Sequence, residues 1–584
     1  DQKDQKQEQN QPAREDRQFH IRQHMPANFD HMIVRATVDG VDYWLDGTST
    51  ATRIGNMAQV PAFYYALPLT PEGADLTPIS DRYQDHNDVV IEIDTDHTAG
   101  IDLPNTYTLT MQITGAQGAG FRALVDEGDP EVKKQMMTQI SNGAGGSSRA
   151  TSIDMFYDDE AATAKIVVKG VGEPMFDFNE GEMQLALNGA ADNASFTPNR
   201  VRPKWRNIPV ATGGPSRSQT IMRVDLPDQG AGFTLRGTEQ LDGSYAHTRY
   251  FRSSKLSGSS ITLDETNVSK LGEITLGQLA EARRAALQIS KSDLMLIAPE
   301  TAKRRWDFTT AELKQRTAPA LAGYNIAIEQ ADDDDFGPLR SRAEYFSLIY
   351  DFENAVKDFS AIIDEEPNAS LFRTRADLLL SLGRMDEAIA DTQAAYELQP
   401  TNWTGYWQAE LLARSGKTDE ALKLLELIPV SEDEIDGKVD SQSIVLGLAG
   451  RVNEGLKLLA DRLEERPDSA TALSADCLLR GLHAVALEGA IAQCNRAVER
   501  ANNTASRLFA RALVHYRKGD TEKAFADLDA AQKLSPAYAE NRYLRGIIML
   551  EQGDEGGRTL VETALRQLPE LRNLYALYGI EPKS

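Results

Sequence analysis

The sequence is poor in cysteine and has no long apolar segment. It contains two cysteines, Cys477 and Cys494, among 584 residues, which excludes a disulfide-rich scaffold. We predict both to be buried, unreactive thiols, because they fall at a small-residue position and a helix-packing position of a helical region. No run approaches the roughly 18 uninterrupted apolar residues of a membrane-spanning helix, so the sequence predicts none. A chain of this length exceeds what one core organises, and we expect several domains.

Positive charge is also scarce. Lys and Arg number 62 against 88 Asp and Glu, which gives a net charge of -26 and a pI near 4.8. Such a field repels phosphate backbones and anionic membranes, so we expect no nucleic-acid partner and favour a basic or neutral one. The histidines show no ligand-like grouping with cysteines or acids, and we assign no metal and no cofactor. Those considered are His20, His24, His97 and His247.

Residues 29–46 predict a β-hairpin. Apolar residues alternate on both sides of Asp39-Gly40, a pair that strongly favours a two-residue hairpin turn. With that turn, Val38 faces Val41. One side of the hairpin is apolar, and we expect it to be buried; it includes Val34, Ala36, Tyr43 and Leu45.

The same register brings two candidate catalytic residues together. His31 falls on the diagonal of Asp46 and on the same face, at roughly 7–8 Å between backbones. An imidazole held by a carboxylate is the base and orienting half of a Ser-His-Asp or Cys-His-Asp triad. In the alternative interpretation, His31 is an ordinary strand residue and Asp46 forms the turn before Gly47-Thr48.

The run from His31-Met-Ile-Val-Arg to Tyr43-Trp-Leu-Asp46-Gly-Thr48 resembles a segment of bacterial transglutaminase-like proteins, in which two triad members lie on adjacent strands. The resemblance implies a Cys nucleophile some tens of residues upstream and an exported or periplasmic setting. No cysteine lies in the first 30 residues, so His31 and Asp46 are triad remnants without their nucleophile. The chain is then either a truncated product or a degenerate relative.

The pattern of the chain predicts a multidomain α+β protein. Residues 1–25 are a polar low-complexity lead and 26–84 a partial transglutaminase-like segment. Residues 85–275 are a β-rich region, either one antiparallel, sandwich-like module or two smaller ones. One helix interrupts the module near 129–140, with its proline in the first turn. Residues 276–335 are predicted as a helical connector and cap. The predicted strands of the module lie at 89–93, 106–113, 164–169, 220–224 and 260–263.

Residues 336–584 carry three markers that recur near a 34-residue period. Small residues recur at Ala355, Ala388, Ala421, Gly455, Ala490 and Ala524. Turn glycines recur at Gly383, Gly416, Gly450, Gly519 and Gly553, and prolines at Pro367, Pro400, Pro467, Pro536 and Pro569. A small residue suits the crossing of two helices, a glycine ends the first helix and a proline cannot continue the second. The pattern predicts a tetratricopeptide-repeat (TPR) solenoid of about seven repeats, least regular at 484–490.

The repeat phase places candidate partner-binding residues on the first helices. One inward position holds Arg340, Arg373, Tyr406 and Phe509, and a second, four residues further on, holds Glu344, Asp377 and Glu410. With Trp403, they predict a partly acidic groove with aromatic anchors, suited to an extended segment of basic character. Alternatively, Arg340–Glu344 and Arg373–Asp377 are i,i+4 pairs that neutralise each other on a solvated face.

Two classes of function follow. The first is a protein-protein interaction scaffold in which a TPR array is attached to an incomplete transglutaminase-like domain. The alternative is the C-terminal part of a Cys-His-Asp acyltransferase or peptidase whose nucleophile lies upstream. Because a triad without its nucleophile leaves only an orienting device, we expect no catalysis by this chain alone and favour the scaffold.

Overall fold

The computed structural model describes residues 32–49, 51–54, 56–57, 65–79, 83–143, 148–187, 189–500 and 504–582. The chain divides into two compact units. The β unit comprises residues 1–303 and Thr317–Glu329, and the solenoid unit comprises Arg304–Arg316 and 330–584. Within the described ranges, no helix is long and apolar enough to cross a membrane.

The described part of the β unit is built mainly from strands. They are β1 (Val34–Val38), β2 (Val41–Leu45), β3 (Tyr65–Ala66), β4 (Thr77–Pro78), β5 (Val89–Asp96), β6 (Asn105–Thr114), β7 (Arg149–Asp158), β8 (Thr163–Gly172), β9 (Asp177–Asn179), β10 (Glu182–Ala186), β11 (Val210–Ala211), β12 (Ser216–Asp225), β13 (Thr234–Gly237), β14 (Gln240–Tyr245), β15 (Thr248–Ser257), β16 (Ser260–Ser269), β17 (Glu273–Ile274) and β18 (Leu294–Ile297).

Two of the sheets enclose the core of the β unit. The larger has the order β14-β15-β16-β12-β5-β6-β8-β7, and the smaller has the order β13-β18-β10-β9. Buried side chains from both sheets form one cluster, with Leu263 from β16 and Leu296 from β18 among them. The prediction of a β-rich region is confirmed. The larger sheet is mixed, because β12 runs parallel to β5, whereas the sequence favoured antiparallel pairing throughout.

Helices complete the β unit, at Gly115–Gly120, Arg122–Glu127, Pro130–Gly143, Leu279–Ser290 and Ala318–Gln330. The helix predicted near 129–140 is present, with Pro130 as its first residue. Ala318–Gln330 was expected to cap the repeats, but residues up to Glu329 group with the β unit. A Cβ at Gly323 would overlap the side chain of Val171, so this helix packs tightly on the larger sheet.

The β1–β2 hairpin has the predicted register but not the predicted burial. Val38 pairs with Val41, and both turn residues, Asp39 and Gly40, have positive φ as a two-residue type I′ turn requires. Val34 remains 61% exposed and Leu45 38% exposed. Alternation therefore identified the residues that share a face, but the expectation that this face is buried is wrong.

The solenoid unit consists of helix pairs, and we number the repeats 1 to 7. The first and second helices of each repeat are Gly337–Leu348 and Phe352–Glu365 (repeat 1), Ala369–Ser381 and Met385–Leu398 (2), Asn402–Arg414 and Thr418–Leu427 (3), Ile435–Leu448 and Val452–Glu465 (4), Ala470–His483 and Leu487–Arg500 (5), Ala505–Arg517 and Thr521–Leu534 (6), and Ala539–Glu551 and Gly556–Gln567 (7). Helix Thr310–Arg316 precedes them and Leu571–Ala576 follows.

Each sequence marker has its predicted structural role. The five repeat alanines are 0% exposed at the crossing of the two helices. The five turn glycines have φ between 74° and 84°, the left-handed conformation that ends a helix. The irregular stretch at 484–490 uses alanines instead, because Ala484 and Ala486 themselves adopt positive φ. These agreements fix the period of the array residue by residue.

A charged tie joins the two helices at the same position of three repeats, with an arginine on the first helix and an aspartate on the second. Arg342–Asp358, Arg375–Asp391 and Arg511–Asp527 are ion pairs of 2.7, 2.7 and 2.6 Å, each between the first and second helix of one repeat. The aspartates are at most 9% exposed, so these pairs lie inside the repeat.

Repeat 5 carries a covalent tie at the same place. Cys477 occupies the repeat position of Arg375 and Arg511, and it forms a disulfide with Cys494. Both residues are buried as predicted, but the expectation of free thiols is wrong. The two cysteines lie on facing helices of one repeat and within disulfide reach, a pairing that does not follow from the position of either cysteine alone.

The segment Arg304–Arg316 contacts both ends of the array. Arg566 in the last repeat donates hydrogen bonds to the carbonyls of Trp306 and Phe308, each at 2.9 Å. Lys314 forms a 2.8 Å ion pair with Asp351, just before the second helix of repeat 1. We call Arg304–Arg316 the strap.

Candidate functional site

The first helices of the repeats carry the residues that the repeat phase assigns to the inner face. Those of repeats 3 to 7 contact one another in succession. The predicted site residues Arg340, Arg373, Tyr406 and Phe509 occupy one position of these helices, in repeats 1, 2, 3 and 6.

In repeat 1 the predicted residues pair with each other. Arg340 and Glu344 form a 3.1 Å ion pair one helical turn apart, with side chains 55% and 44% exposed. This is the mutual neutralisation that the alternative interpretation describes. An exposed pair of this kind contributes about 0.3 kcal/mol or less to stability.

In repeat 2 the predicted residues are not arranged in that way. Arg373 donates a 3.4 Å hydrogen bond to the hydroxyl of Thr404 in the next repeat. Desolvation by the surrounding protein and, to a smaller extent, the negative charge of Glu570 together raise the pKa of Asp377 to about 6. Because Asp377 nevertheless retains contact with solvent, it is an accessible carboxylate in a poorly solvated recess.

Repeat 3 supplies the aromatic surface. The Trp403 side chain is 60% exposed, and its ring lies 5.4 Å from that of Trp407. Tyr406 is half-buried, and within the described residues its hydroxyl is a buried polar atom with no hydrogen-bond partner. An exposed indole ring beside a phenol hydroxyl without a hydrogen-bond partner is suited to contact with another chain.

Carboxylates line the inner face next to these rings. Burial and, to a smaller extent, the negative charge of Glu410 together raise the pKa of Asp440 to about 7. The pKa of Glu410 is itself raised by burial and by Glu570, although Arg414 opposes the shift. Asp440 is not among the residues predicted from the sequence, although it follows Tyr406 by 34 residues and therefore occupies the same repeat position.

Phe509 lies in a different environment. It is 3% exposed, and its ring packs edge-on against Tyr538 at 5.5 Å and Tyr575 at 6.4 Å. Its repeat position is the one predicted to face inward, and Tyr575, near the end of the described chain, packs against it. Phe509 is therefore separated from the accessible surface around Trp403.

Of the two candidate catalytic residues, the structure describes Asp46. His31 lies outside the described residues. Asp46 accepts hydrogen bonds from the backbone N of Thr48 at 2.9 Å and from its hydroxyl at 2.7 Å. This local arrangement is a turn-forming one, and the pairing of His31 with Asp46 stays a prediction.

The β unit contains a buried ion pair that the sequence did not suggest. Arg252 and Glu265 face each other on β15 and β16 at 2.7 Å, with side chains 1% and 0% exposed. Burial and the neighbouring Glu265 raise the pKa of Tyr250 beside them. No group of three or more His, Cys, Asp or Glu in the described part of the chain is placed to hold a metal ion.

Comparisons with known proteins concern the solenoid unit. No curated protein matches the sequence. Among solved structures, a tetratricopeptide repeat protein from Parabacteroides merdae is 18% identical over 42% of this chain and 98% of its own, with a TM-score of 0.29. The C-terminal part of a TPR repeat-containing protein from Cytophaga hutchinsonii is 15% identical over 40% of this chain and 96% of its own (TM-score 0.26). YrrB, described as a TPR protein with an unusual peptide-binding site, is 19% identical over 33% of this chain and 99% of its own (TM-score 0.20).

A family model agrees with the repeat pattern. Residues 351–402 match the tetratricopeptide repeat family, from the second helix of repeat 1 to the start of repeat 3. The C-terminal region is therefore a TPR domain, as the sequence predicted. Repeats of this kind support a protein-interaction scaffold, because stacked helix pairs create an extended inner surface.

Proposed function

We propose that the protein is an interaction scaffold whose inner face at repeats 1 to 3 binds a segment of a partner protein that carries basic residues. The observation that carries this proposal is the exposed Trp403 beside Tyr406 and a group of carboxylates with raised pKa values. A cationic side chain placed near Asp377, Glu410 and the adjoining Asp440 of repeat 4 gains more than it would on an ordinary surface, because these carboxylates are poorly solvated.

The aromatic residues and the acids have different tasks. Aromatic anchors in a groove dominate affinity, whereas carboxylates steer the encounter and add salt dependence. Substitution of Tyr406 by Ala should therefore weaken the partner by about 1–2 kcal/mol. A bound cation also lowers the pKa of Asp377 and Asp440, so binding releases protons. Affinity should then rise as the pH increases from about 5 to 8.

A site-specific crosslinking experiment tests the surface. A photoreactive amino acid replaces Trp403 in the full chain, and a matched variant carries it at Leu427, which is 72% exposed on the second helix of the same repeat. Crosslinked proteins from the source cell extract should appear with the Trp403 variant, and Tyr406→Ala should reduce them. Equal capture at both positions, or capture unaffected by Tyr406→Ala, would remove the inner face of repeat 3 as the site.

The disulfide supports an oxidising compartment, such as an exported or periplasmic location. Disulfides persist in such compartments and are rare where glutathione keeps thiols reduced. Because Cys477 and Cys494 are buried and joined, the bond is a structural one. Mass spectrometry of alkylated protein from intact cells should find both cysteines protected from alkylation. Full alkylation after mild unfolding without reductant would contradict this location.

A second candidate function rests on the N-terminal hairpin. The observed pairing of Val34 with Leu45 agrees with the register that the sequence predicted for the hairpin. This agreement supports a transglutaminase-like origin for residues 26–84. We propose that this segment is an incomplete domain without acyl-transfer or peptidase activity of its own, since no nucleophile accompanies the pair. Incubation with amine donors and glutamine or peptide substrates should give background rates. Turnover that His31→Ala abolishes would contradict this.

A further inference from the structure

Residues 570–580 cross the inner face of the solenoid unit, and we call them the C-terminal segment. It begins at Glu570, whose carboxylate forms a 3.0 Å ion pair with Arg414, the last residue of the first helix of repeat 3. The two side chains are only 18% and 7% exposed. The segment therefore reaches from repeat 7, where it leaves the array, back to repeat 3.

Aromatic contacts hold the middle of the segment. The ring of Tyr575 stacks on Tyr543 at 5.4 Å and meets the edge of Phe509 at 6.4 Å. Phe509 and Tyr543 occupy in repeats 6 and 7 the inward position that Tyr406 occupies in repeat 3. The segment thus covers the part of each helix that elsewhere faces solvent.

The end of the segment meets two further basic residues. The ring of Tyr578 lies edge-on to His483 at 5.0 Å, and its carbonyl accepts a hydrogen bond from Arg517. Arg414, His483 and Arg517 are each the last residue of a first helix, in repeats 3, 5 and 6. The same position in three repeats therefore supplies three basic residues that contact the C-terminal segment.

A helix that merely caps an array needs contacts only with the last repeat. The C-terminal segment instead contacts repeats 3, 5, 6 and 7 through a carboxylate, two aromatic rings and a backbone carbonyl. These are the groups by which one chain recognises a peptide of another, and they lie in order along eleven residues.

We propose that the C-terminal segment is an intramolecular ligand. The surface beneath it is a second binding surface, formed by Arg414, His483, Phe509, Arg517 and Tyr543. It takes a partner segment that carries a carboxylate, an aromatic residue five positions later and a second aromatic residue three positions after that. This surface lies mainly on repeats 5 to 7, so the inference goes beyond the proposed function at repeats 1 to 3 and does not depend on it.

A peptide competition tests the proposal in the full chain. The probe is a fluorescent synthetic peptide with the sequence of residues 568–582. The variant Glu570→Ala/Tyr578→Ala changes the segment and leaves the surface intact. The peptide should bind this variant at least ten-fold more tightly than the wild-type chain, because the attached segment competes at high effective concentration. A peptide with the same two substitutions is the matched control and should bind neither chain.

Hydrogen exchange decides between a ligand and an integral cap. In the variant, amides of Leu571–Ala576 should exchange faster while those of Ala539–Glu551 in repeat 7 stay protected. If both lose protection together, the segment is part of the fold and the proposal fails. It also fails if the segment exchanges freely but the peptide does not bind, or if protection in the segment is unchanged.

Discussion

Carboxylates in the solenoid unit occupy two contrasting settings. Asp358, Asp391 and Asp527 lie between the two helices of a repeat, and a guanidinium with two parallel hydrogen bonds neutralises each one. Asp377 and Asp440 lie on the inner face, where burial raises their pKa values to about 6 and about 7. Charge is compensated by an ion pair inside these three repeats, whereas Asp377 and Asp440 form no ion pair among the described residues.

Repeat 5 sharpens this contrast. Its tie between the two helices is the disulfide Cys477–Cys494 instead of an ion pair. Repeat 5 has Cys477 at the arginine position and Gln493 at the aspartate position, so neither partner of the charged tie is present. In repeat 5 the disulfide therefore stands in the place of the charged tie.

Loss of the disulfide should have the largest effect. The variant Cys477→Ala/Cys494→Ala should lose about 3 kcal/mol of unfolding free energy, because the bond closes a 17-residue separation in the unfolded chain. Urea unfolding of the full chain, followed by far-UV circular dichroism, measures the loss. The variant Cys477→Arg/Gln493→Asp/Cys494→Ala installs the charged tie of the other repeats and should recover part of the stability. No loss in the alanine variant would mean that repeat 5 needs no tie.

Removal of a charged tie should cost less. Asp391→Ala should lower the unfolding free energy by about 2 kcal/mol, because it leaves the largely buried Arg375 without its carboxylate. The exposed Asp386, on the same helix, gives the control variant Asp386→Ala, which should change stability by less than about 0.5 kcal/mol. If the two variants have equal unfolding free energies, the ion pair of Asp391 contributes no more to stability than the exposed Asp386 does.

Sequence periodicity was sufficient to predict the repeats but not all of their contacts. Ala388 and Gly383 have roles dictated by local geometry, so their spacing alone identified them. The charged ties recur with the same period at Arg342, Arg375 and Arg511. A recurring polar residue on a helix does not by itself predict a buried ion pair, because such residues are usually solvated. Their partners become evident only when the second helix is placed.

Other contacts could not be predicted because they depend on distant parts of the chain. The repeat phase predicts that Phe509 faces inward. It carries no information on residues 570–580, which fold back over Phe509. Likewise, the alternation in β1 and β2 defined the face that holds Val34, but it did not show that this face stays exposed. Local patterns define faces, whereas tertiary packing decides which of them are occupied.

The inner-face acids should give the smallest effect, with the opposite sign. Asp440→Asn should raise the unfolding free energy by about 1 kcal/mol at pH 8, because it removes a carboxylate that is costly to ionise in the folded state. The folded pKa is raised, so this cost is fully present above pH 7 and disappears below the unfolded value near 4. Thermal unfolding at pH 8 and at pH 4 measures the difference between variant and wild type. A gain of equal size at both pH values would show that ionisation is not its cause.

The strap Arg304–Arg316 changes how this array can lose structure. Helical arrays in which each repeat contacts only its neighbours fray from their terminal repeats, which are the least stable. Here the terminal repeats share one strap, through Asp351 at one end and Arg566 at the other. Neither end can open without releasing contacts made to the same short segment. Unfolding of this solenoid is thereby coupled between its first and last repeats, although about 200 residues of chain separate them.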